Sequence, residues 1–372
     1  MDIIFNGAAL RLARIFSGLA LEEVAERVEK TRQYVHRLET GQSIPTEQLL
    51  RCLASVLQVE PTFFTSGHVA MIEEEQFHFR KLFTTRAMVK QVAMARGEMI
   101  GRLVAYLDCE LRLPELRIPE VTDAHTSEDI ECAAELCRRE WALGLGPIAN
   151  ITRLAEHVGV VVTSFQSVSK EIDALSVAVK RPIIVRNEAK ESVCRQRFDI
   201  GHELGHFVLH SGQATGDRVT ESQANRFASA LLIPRVMMAK LFPKPRGSRL
   251  DWIGLREFKL TWKVSKAAIL YRARQLELIS DDQYKTGVIT LRRTGEATGE
   301  REDSLIQKEV PELLACSLAV LAKKKGVCAE EVASALQVLP TLLREIVGFN
   351  LPMRASDQSH GTRQRPGLYL VT

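Results

Sequence analysis

The stretch Phe198-Asp199-Ile200-Gly201-His202-Glu203-Leu204-Gly205-His206-Phe207-Val208-Leu209-His210 holds the residue types best suited to chemistry. Apolar residues recur around it at helical spacing, so His202 and His206 fall one turn apart on one face of a helix, where two imidazoles can grip one metal ion. Glu203 then stands beside the metal without ligating it. From there its carboxylate can take a proton from water as general base, while zinc lowers the pKa of that water. Peptide hydrolysis is the chemistry this arrangement predicts.

Catalytic zinc ordinarily has three protein ligands, so two histidines leave the set incomplete. The run Glu221-Ser222-Gln223-Ala224-Asn225-Arg226-Phe227-Ala228-Ser229-Ala230-Leu231-Leu232-Ile233-Pro234 reads as a second amphipathic helix that stops before its proline, with Phe227, Leu231 and Leu232 inward. Glu221, in its first turn, is the expected third ligand, and Asn225, one turn on, an orienting group behind the ligands. His210 shares the face of His202 and His206, but a further turn along a straight helix takes it out of ligand range. It reads either as a support for the ligands or as a packed core histidine. A chance match on a surface helix would lack both the apolar flanks and the Glu-bearing second helix.

The pattern Arg195-x-Arg197-Phe198-x-x-x-His202-Glu203-Leu204-Gly205-His206, followed by Glu221-x-x-Ala224-Asn225-x-Phe227-Ala228-x-x-Leu231-Leu232-x-Pro234, resembles the ImmA/IrrE metallopeptidases. That resemblance implies a zinc-dependent, gluzincin-like protease domain of the kind that cleaves DNA-binding repressors. It also implies that His202, His206 and Glu221 are the zinc ligands and Glu203 the base.

A second pattern lies at the start of the chain. Leu10, Ala13 and Phe16 form one apolar stripe, and Leu21-Glu22-Glu23-Val24-Ala25-Glu26-Arg27-Val28 reads as a second helix. After the turn at Glu29-Lys30, Thr31 caps a third helix that Gly41 stops. Two short helices joined by a tight turn make a helix-turn-helix. With Val35 and Leu38 inward, Thr31, Arg32, Gln33, Tyr34, His36 and Arg37 are the expected DNA-facing residues, since Arg and Gln near the start of such a helix can make bidentate contacts to guanine and adenine edges. Leu19-x-x-Glu22-x-Val24-Ala25 through Val35-x-x-Leu38-Glu39-x-Gly41-x-x-x-Pro45 resembles the Xre (Cro/cI-like) family. Two features depart from it. Ala20-Leu21 replaces a capping Thr and a phosphate-contacting amide, and acidic residues outnumber basic ones in residues 1–62. With backbone attraction that weak, operator DNA is expected to be bound by a dimer, the alternative being a protein-docking module.

Between and beyond these units the chain is less informative. Residues 65–125 read as a helical connector, with Glu73-Glu74-Glu75 a solvated face and Phe77-His78-Phe79-Arg80-Lys81 a linking segment; a helix spans 89–113 and Pro114 and Pro119 close it. A helix over 127–145, a short one over 151–157, a buried strand at 159–163 and a hairpin of 174–179 with 182–185 precede the metal helix. Pro182-Ile183-Ile184-Val185 is the candidate edge strand for holding an extended substrate. The basic residues of 240–274 read as a solvated helix face. Residues 286–303 are expected to be a hairpin or exposed loop, 309–349 three short helices with a faint second helix-turn-helix pattern at Lys323-Lys324-Lys325-Gly326, and 356–366 irregular. No internal repeat is evident.

The chain of 372 residues is 45% hydrophobic with a formal net charge of +4, enough for two or three folded domains and too little bulk charge to decide for or against nucleic acid. Seven scattered cysteines without Cys-x-x-Cys spacing suit a reducing cytoplasm, and neither a signal peptide nor a membrane span is visible. The expected architecture is therefore multidomain: an all-α helix-turn-helix domain (1–64), a helical connector (65–125), an α+β gluzincin-like peptidase domain with a small β-sheet (126–280) and a helical accessory region (281–372). The expected function is that of a DNA-binding regulator whose zinc endopeptidase cleaves a repressor or antitoxin-like partner. The rival is a non-enzymatic DNA-binding antitoxin or repressor in which zinc is structural or regulatory.

Overall fold

The computed structural model describes residues 5–65, 77–79, 87–121, 123–165, 174–177, 180–187, 192–213, 215–247, 249–349 and 351. Glu73-Glu74-Glu75, Arg80-Lys81, Ala178-Val179 and residues 356–366 lie outside them. Short polar side chains start many of its helices. Asn6 accepts from the amides of Ala8 and Ala9 (3.0 and 3.2 Å) to open α1 (Gly7–Phe16). The unit continues with α2 (Leu21–Arg27), α3 (Arg32–Glu39), which Thr31 caps through Tyr34 N at 3.2 Å, α4 (Glu47–Val56), which Thr46 caps, and a short 3-10 helix (Pro61–Phe64). Such caps each contribute about 1 kcal/mol by satisfying amides that a helix start leaves open.

Strand β1 (Phe77–Phe79) leads to the long α5 (Ala87–Glu110). Next come α6 (Ser127–Glu140), α7 (Ile151–His157), β2 (Val161–Phe165), β3 (Ala174–Val177) and β4 (Ile183–Asn187), then α8 (Val193–Leu209) and α9 (Arg218–Leu232). The strands form one sheet in the order β1-β3-β4-β2, antiparallel except for the parallel β2–β4 pair. Pro182-Ile183-Ile184-Val185 therefore does not supply a free edge: β4 is paired to β3 on one side and to β2 on the other, so its main chain is already spent.

Alternation along the strands divides the sheet between two cores. Val161, Val177, Ile183 and Val185 face a core built with α1–α5, whereas Val162 and Ile184 face the core around α8 and α9. The first core also takes in α14 (Leu313–Lys325), α15 (Ala329–Ala335) and α16 (Pro340–Val347), so hydrophobic packing joins the two ends of the chain.

The rest of the second core comes from α10 (Arg235–Leu241), α11 (Trp252–Trp262), α12 (Lys266–Gln275) and α13 (Asp281–Arg293). Residues 286–303 are thus not a hairpin: α13, opened by a Ser280 cap on Gln283 N (3.2 Å), runs through 286–293, and a turn leads from it to a 3-10 helix (Arg301–Leu305). Nor are the basic residues of 240–274 a solvated face throughout. Lys259 is fully buried, 2.7 Å from Glu300 and 2.5 Å from Asp303, Lys266 bonds Glu296 and Glu302, and Arg272 forms a bidentate pair with Glu131. These cations are the counter-charges of buried carboxylates, and the acidic residues that pair with Lys259 and Lys266 sit beyond residue 290, too far along the sequence to be assigned from local pattern.

Removing one member of a buried pair leaves an uncompensated charge. Arg272→Leu is expected to lower stability by about 3 kcal/mol, read as a fall in the denaturant midpoint with little change in slope. The double variant Arg272→Leu/Glu131→Leu should recover part of that loss.

Candidate functional site

Helix α8 is buried along nearly its whole length, and α9 crosses it closely at Gly205, where an added Cβ would stand 3.0 Å from Phe227 Cδ1 and 3.3 Å from Ala224 Cα. This approach brings Glu221, in the first turn of α9, to the histidines of α8. Its two oxygens lie 3.4 Å from His202 Nε2 and 3.3 Å from His206 Nε2, and the two Nε2 atoms are 3.0 Å apart. His202 and His206 are buried, while Glu221 retains 24% side-chain exposure and marks the side from which the cluster meets solvent.

Behind the cluster runs a chain of hydrogen bonds whose direction can be read from its far end. The carbonyl of Ala124 can only accept, so Gln223 Nε2 donates to it at 3.2 Å and turns its Oε1 toward His210 Nε2 at 2.9 Å. His210 therefore donates from Nε2, and when neutral it accepts at Nδ1 from His206 Nδ1, 3.0 Å away. That leaves a lone pair on His206 Nε2. Asn225 Oδ1, 3.1 Å from His202 Nδ1, has the same effect on His202. Two imidazole lone pairs and a carboxylate then face one point, and that arrangement requires a cation, or a proton in its stead, between them.

The electrostatics agree. Burial, with some help from His202 and His210, brings the His206 pKa down to about 4 against the pull of Glu221, and burial likewise lowers His210. Burial alone would raise Glu221, but the two facing imidazoles more than offset it and hold the carboxylate well below its ordinary range. At neutral pH His206 is a neutral imidazole and Glu221 an anion, and the ligand atoms of His202, His206 and Glu221 all lie within 4.8 Å of one another. Donors of one zinc ion, at bond lengths of about 2.0–2.2 Å and near-tetrahedral angles, are separated by roughly 3.3 Å. The donor set and its spacing therefore fit a zinc ion.

Glu203 is fully buried on the same helix and accepts a short hydrogen bond from Ser176 Oγ on β3. Sequence reading missed Ser176, Gln223 and the Ala124 carbonyl. Ser176 did leave a signal: with its partner Ile184 and with Val162 it shares the helix-facing side of the sheet, a small hydroxyl beside two buried aliphatic residues. Gln223 left none, because its role depends on a carbonyl nearly a hundred residues earlier.

At the other end of the chain, Arg14 clamps α1 to α3 by a two-pronged contact with Glu39 (2.5 and 3.0 Å) and a bond to the Leu19 carbonyl. Val35 and Leu38 are fully buried, and Thr31, Arg32, Gln33, His36 and Arg37 are exposed. Tyr34 is half-buried beneath the Arg37 guanidinium, 5.6 Å from its ring centroid. Thr31 spends its hydroxyl oxygen on the cap, and Arg32 pairs across solvent with Glu22 at 2.8 Å.

Both regions match known family models. Residues 155–274 match the peptidase-family model described as an IrrE N-terminal-like domain, and residues 7–62 match that of a helix-turn-helix domain. The chain thus joins a helix-turn-helix domain of the DNA-binding kind to an IrrE-like, metallopeptidase-like domain. No curated protein matches it. Among the described residues, no helix is long and apolar enough to cross a membrane.

The hydrogen-bond chain fixes which nitrogen carries each proton. Long-range proton–nitrogen correlation spectra of histidine-labelled protein at neutral pH should show His206 protonated at Nδ1 and His210 at Nε2. Gln223→Leu should erase the His210 preference. Since the His206 pKa lies near 4, its imidazole should stay neutral through pH 6 and take up a proton only as pH falls toward that value.

Proposed function

We propose that this protein is a DNA-binding regulator whose IrrE-like domain is a zinc-dependent endopeptidase acting on a repressor or antitoxin-like protein. The observation that carries the reading is the convergence of His202 Nε2, His206 Nε2 and the Glu221 carboxylate on one point, with Glu203 immediately after His202 on the same helix. In this reading those three residues hold the metal, while Asn225 and His210 orient the imidazoles from behind. Zinc, when bound, supplies the Lewis acidity that makes water a nucleophile at neutral pH. Glu203 takes the proton from that water as the new C–O bond forms and delivers it to the departing amine as the peptide C–N bond breaks. Ser176 holds the Glu203 carboxylate in place from the sheet side.

At the other end, Gln33, His36, Arg37 and, once released from Glu22, Arg32 would read base edges and phosphates, with Thr31 and Tyr34 shaping the start of the helix. The alternative, a non-enzymatic antitoxin or repressor with a structural or regulatory zinc, draws support from the same Ser176 bond, because a carboxylate already engaged by a hydroxyl is less free to act as a base.

Metal analysis should find about one zinc per chain. His202→Ala and Glu221→Ala should each lose it, and full occupancy in both would rule out this ligand set. Glu203→Gln should keep zinc, fold and DNA binding yet lower cleavage of a co-purified or neighbouring-gene partner by ~10²–10⁴-fold. Unchanged regulation by zinc-loaded Glu203→Gln would instead support the non-enzymatic reading. In gel shifts, Arg32→Ala or Gln33→Ala should relax sequence preference, and Arg37→Ala should weaken binding more evenly across sequences. Failure of the full chain to bind any DNA at low salt would make the domain a protein-docking module.

A further inference from the structure

The C-terminal helices repeat the N-terminal unit helix for helix. α2 and α15 are both seven residues long and share Glu-Glu-Val-Ala, at Glu22–Ala25 and at Glu330–Ala333; α3 and α16 are both eight. A glycine with φ near +70° precedes the second helix in each unit, Gly18 at +69° and Gly326 at +67°. The residue two beyond that helix is left-handed in each, Glu29 at 53° and Gln337 at 58°. Even the caps correspond, since Glu23 accepts from Ala20 N at 2.6 Å and Glu331 from Cys328 N at 2.7 Å. The third helices differ in use. α3 buries only Val35 and Leu38, whereas α16 buries Leu342, Leu343, Ile346 and Val347, so the second unit has given its groove-reading face to packing.

The C-terminal unit meets the first at a corner that also echoes the one between α4 and the 3-10 helix that follows it. Ala54-Ser55, Leu57-Gln58-Val59 and Pro61-Thr62 recur as Ala333-Ser334, Leu336-Gln337-Val338 and Pro340-Thr341. These two corners pair with each other about a local two-fold axis: Val59 bridges Val338, Glu60 N donates to Gln337 O at 2.8 Å, and Leu339 N donates to Gln58 O at 2.9 Å. The backbone follows the same symmetry, with φ, ψ of −78°, 151° at Glu60 and −77°, 153° at Leu339. One side-chain contact breaks it, as Thr341 Oγ1 bonds Gln58 at 2.7 Å while Thr62 turns to Glu60. A patch that binds its own near-copy in this reciprocal way is self-complementary, the geometry of an isologous dimer interface.

We infer that residues 313–348 are a second helix-turn-helix unit that no longer reads DNA and serves as a built-in pairing partner for the first. The occupant of the face around Val59, once the C-terminal unit leaves it, is the same face of a second copy of this chain. The chain at rest is then a monomer with one DNA-reading helix, and the dimer suited to a two-fold operator forms only on release.

Two proline variants separate this from a merely structural contact, because both positions already hold proline-compatible φ angles. Leu339→Pro deletes one pairing amide but leaves the first unit's face whole; Glu60→Pro deletes the equivalent amide from that face. With mass followed by light scattering over rising concentration, wild type and Glu60→Pro should stay monomeric and Leu339→Pro should double in mass. Val338→Ala should shift the same way as Leu339→Pro without altering the backbone. Adding Val59→Cys and Val338→Cys together and oxidising should give an intrachain cross-link that keeps the protein monomeric; adding Val59→Cys alone to Leu339→Pro should give a chain-to-chain one. A folded Leu339→Pro and Val338→Ala that both remain monomeric would overturn the inference. So would a wild-type dimer that cross-links through Val59→Cys.

Discussion

How near α8 and α9 can approach decides everything at the candidate metal position. The donors sit on opposite sides of that contact, two imidazoles on one helix and a carboxylate on the other, and they must agree to within a few tenths of an ångström. Gly205 makes this possible, because the space a side chain would need is already filled by Phe227 and Ala224. Any larger residue would lever Glu221 away from the Nε2 atoms while leaving each helix intact. The apolar packing of Leu204, Phe227 and Leu231 thus does more than stabilise the domain: it sets the distance between groups that repel one another until a positive charge lies between them.

Much of the site was legible because helical spacing is a strong constraint. The four-residue interval of His202 and His206, and a glutamate in the first turn of a second amphipathic helix, required only the assumption that the two helices meet. The capping residues and the inward positions of the helix-turn-helix were legible for the same reason, since each depends on neighbours within four residues. What escaped was set by contacts between distant segments. Gln223 acquires its role from the Ala124 carbonyl, Ser176 from a helix that follows one strand later, and the place of β4 inside the sheet from a parallel partner. The second unit near the C-terminus was legible only faintly, for another reason. Its identities are confined to one short stretch of the second helix and a few corner residues, while the rest has drifted to suit its packing.

The carboxylates near the end of the chain show how far such long-range terms reach. Glu309 accepts from Thr152 N at 2.9 Å and from its hydroxyl at 3.0 Å, and bonds Arg197, which rises from α8 one turn before the site. Arg197 also donates to the carbonyls of Ile148 and Lys263. One guanidinium therefore ties α8 to three separate parts of the chain. Read from composition alone, Arg197 would be a surface charge; in the fold it is 1% exposed.

The sheet is a party wall. Ser176, which holds Glu203, and Val177, which belongs to the core shared with the helix-turn-helix, are consecutive residues on opposite faces of one strand. A sideways step of that strand on one face is the same step on the other. α5 lies against the far face and against α1 in turn, so only a strand and a helix separate Glu203 from the helix-turn-helix unit. Any displacement of β3 is therefore a displacement of the boundary of both cores at once.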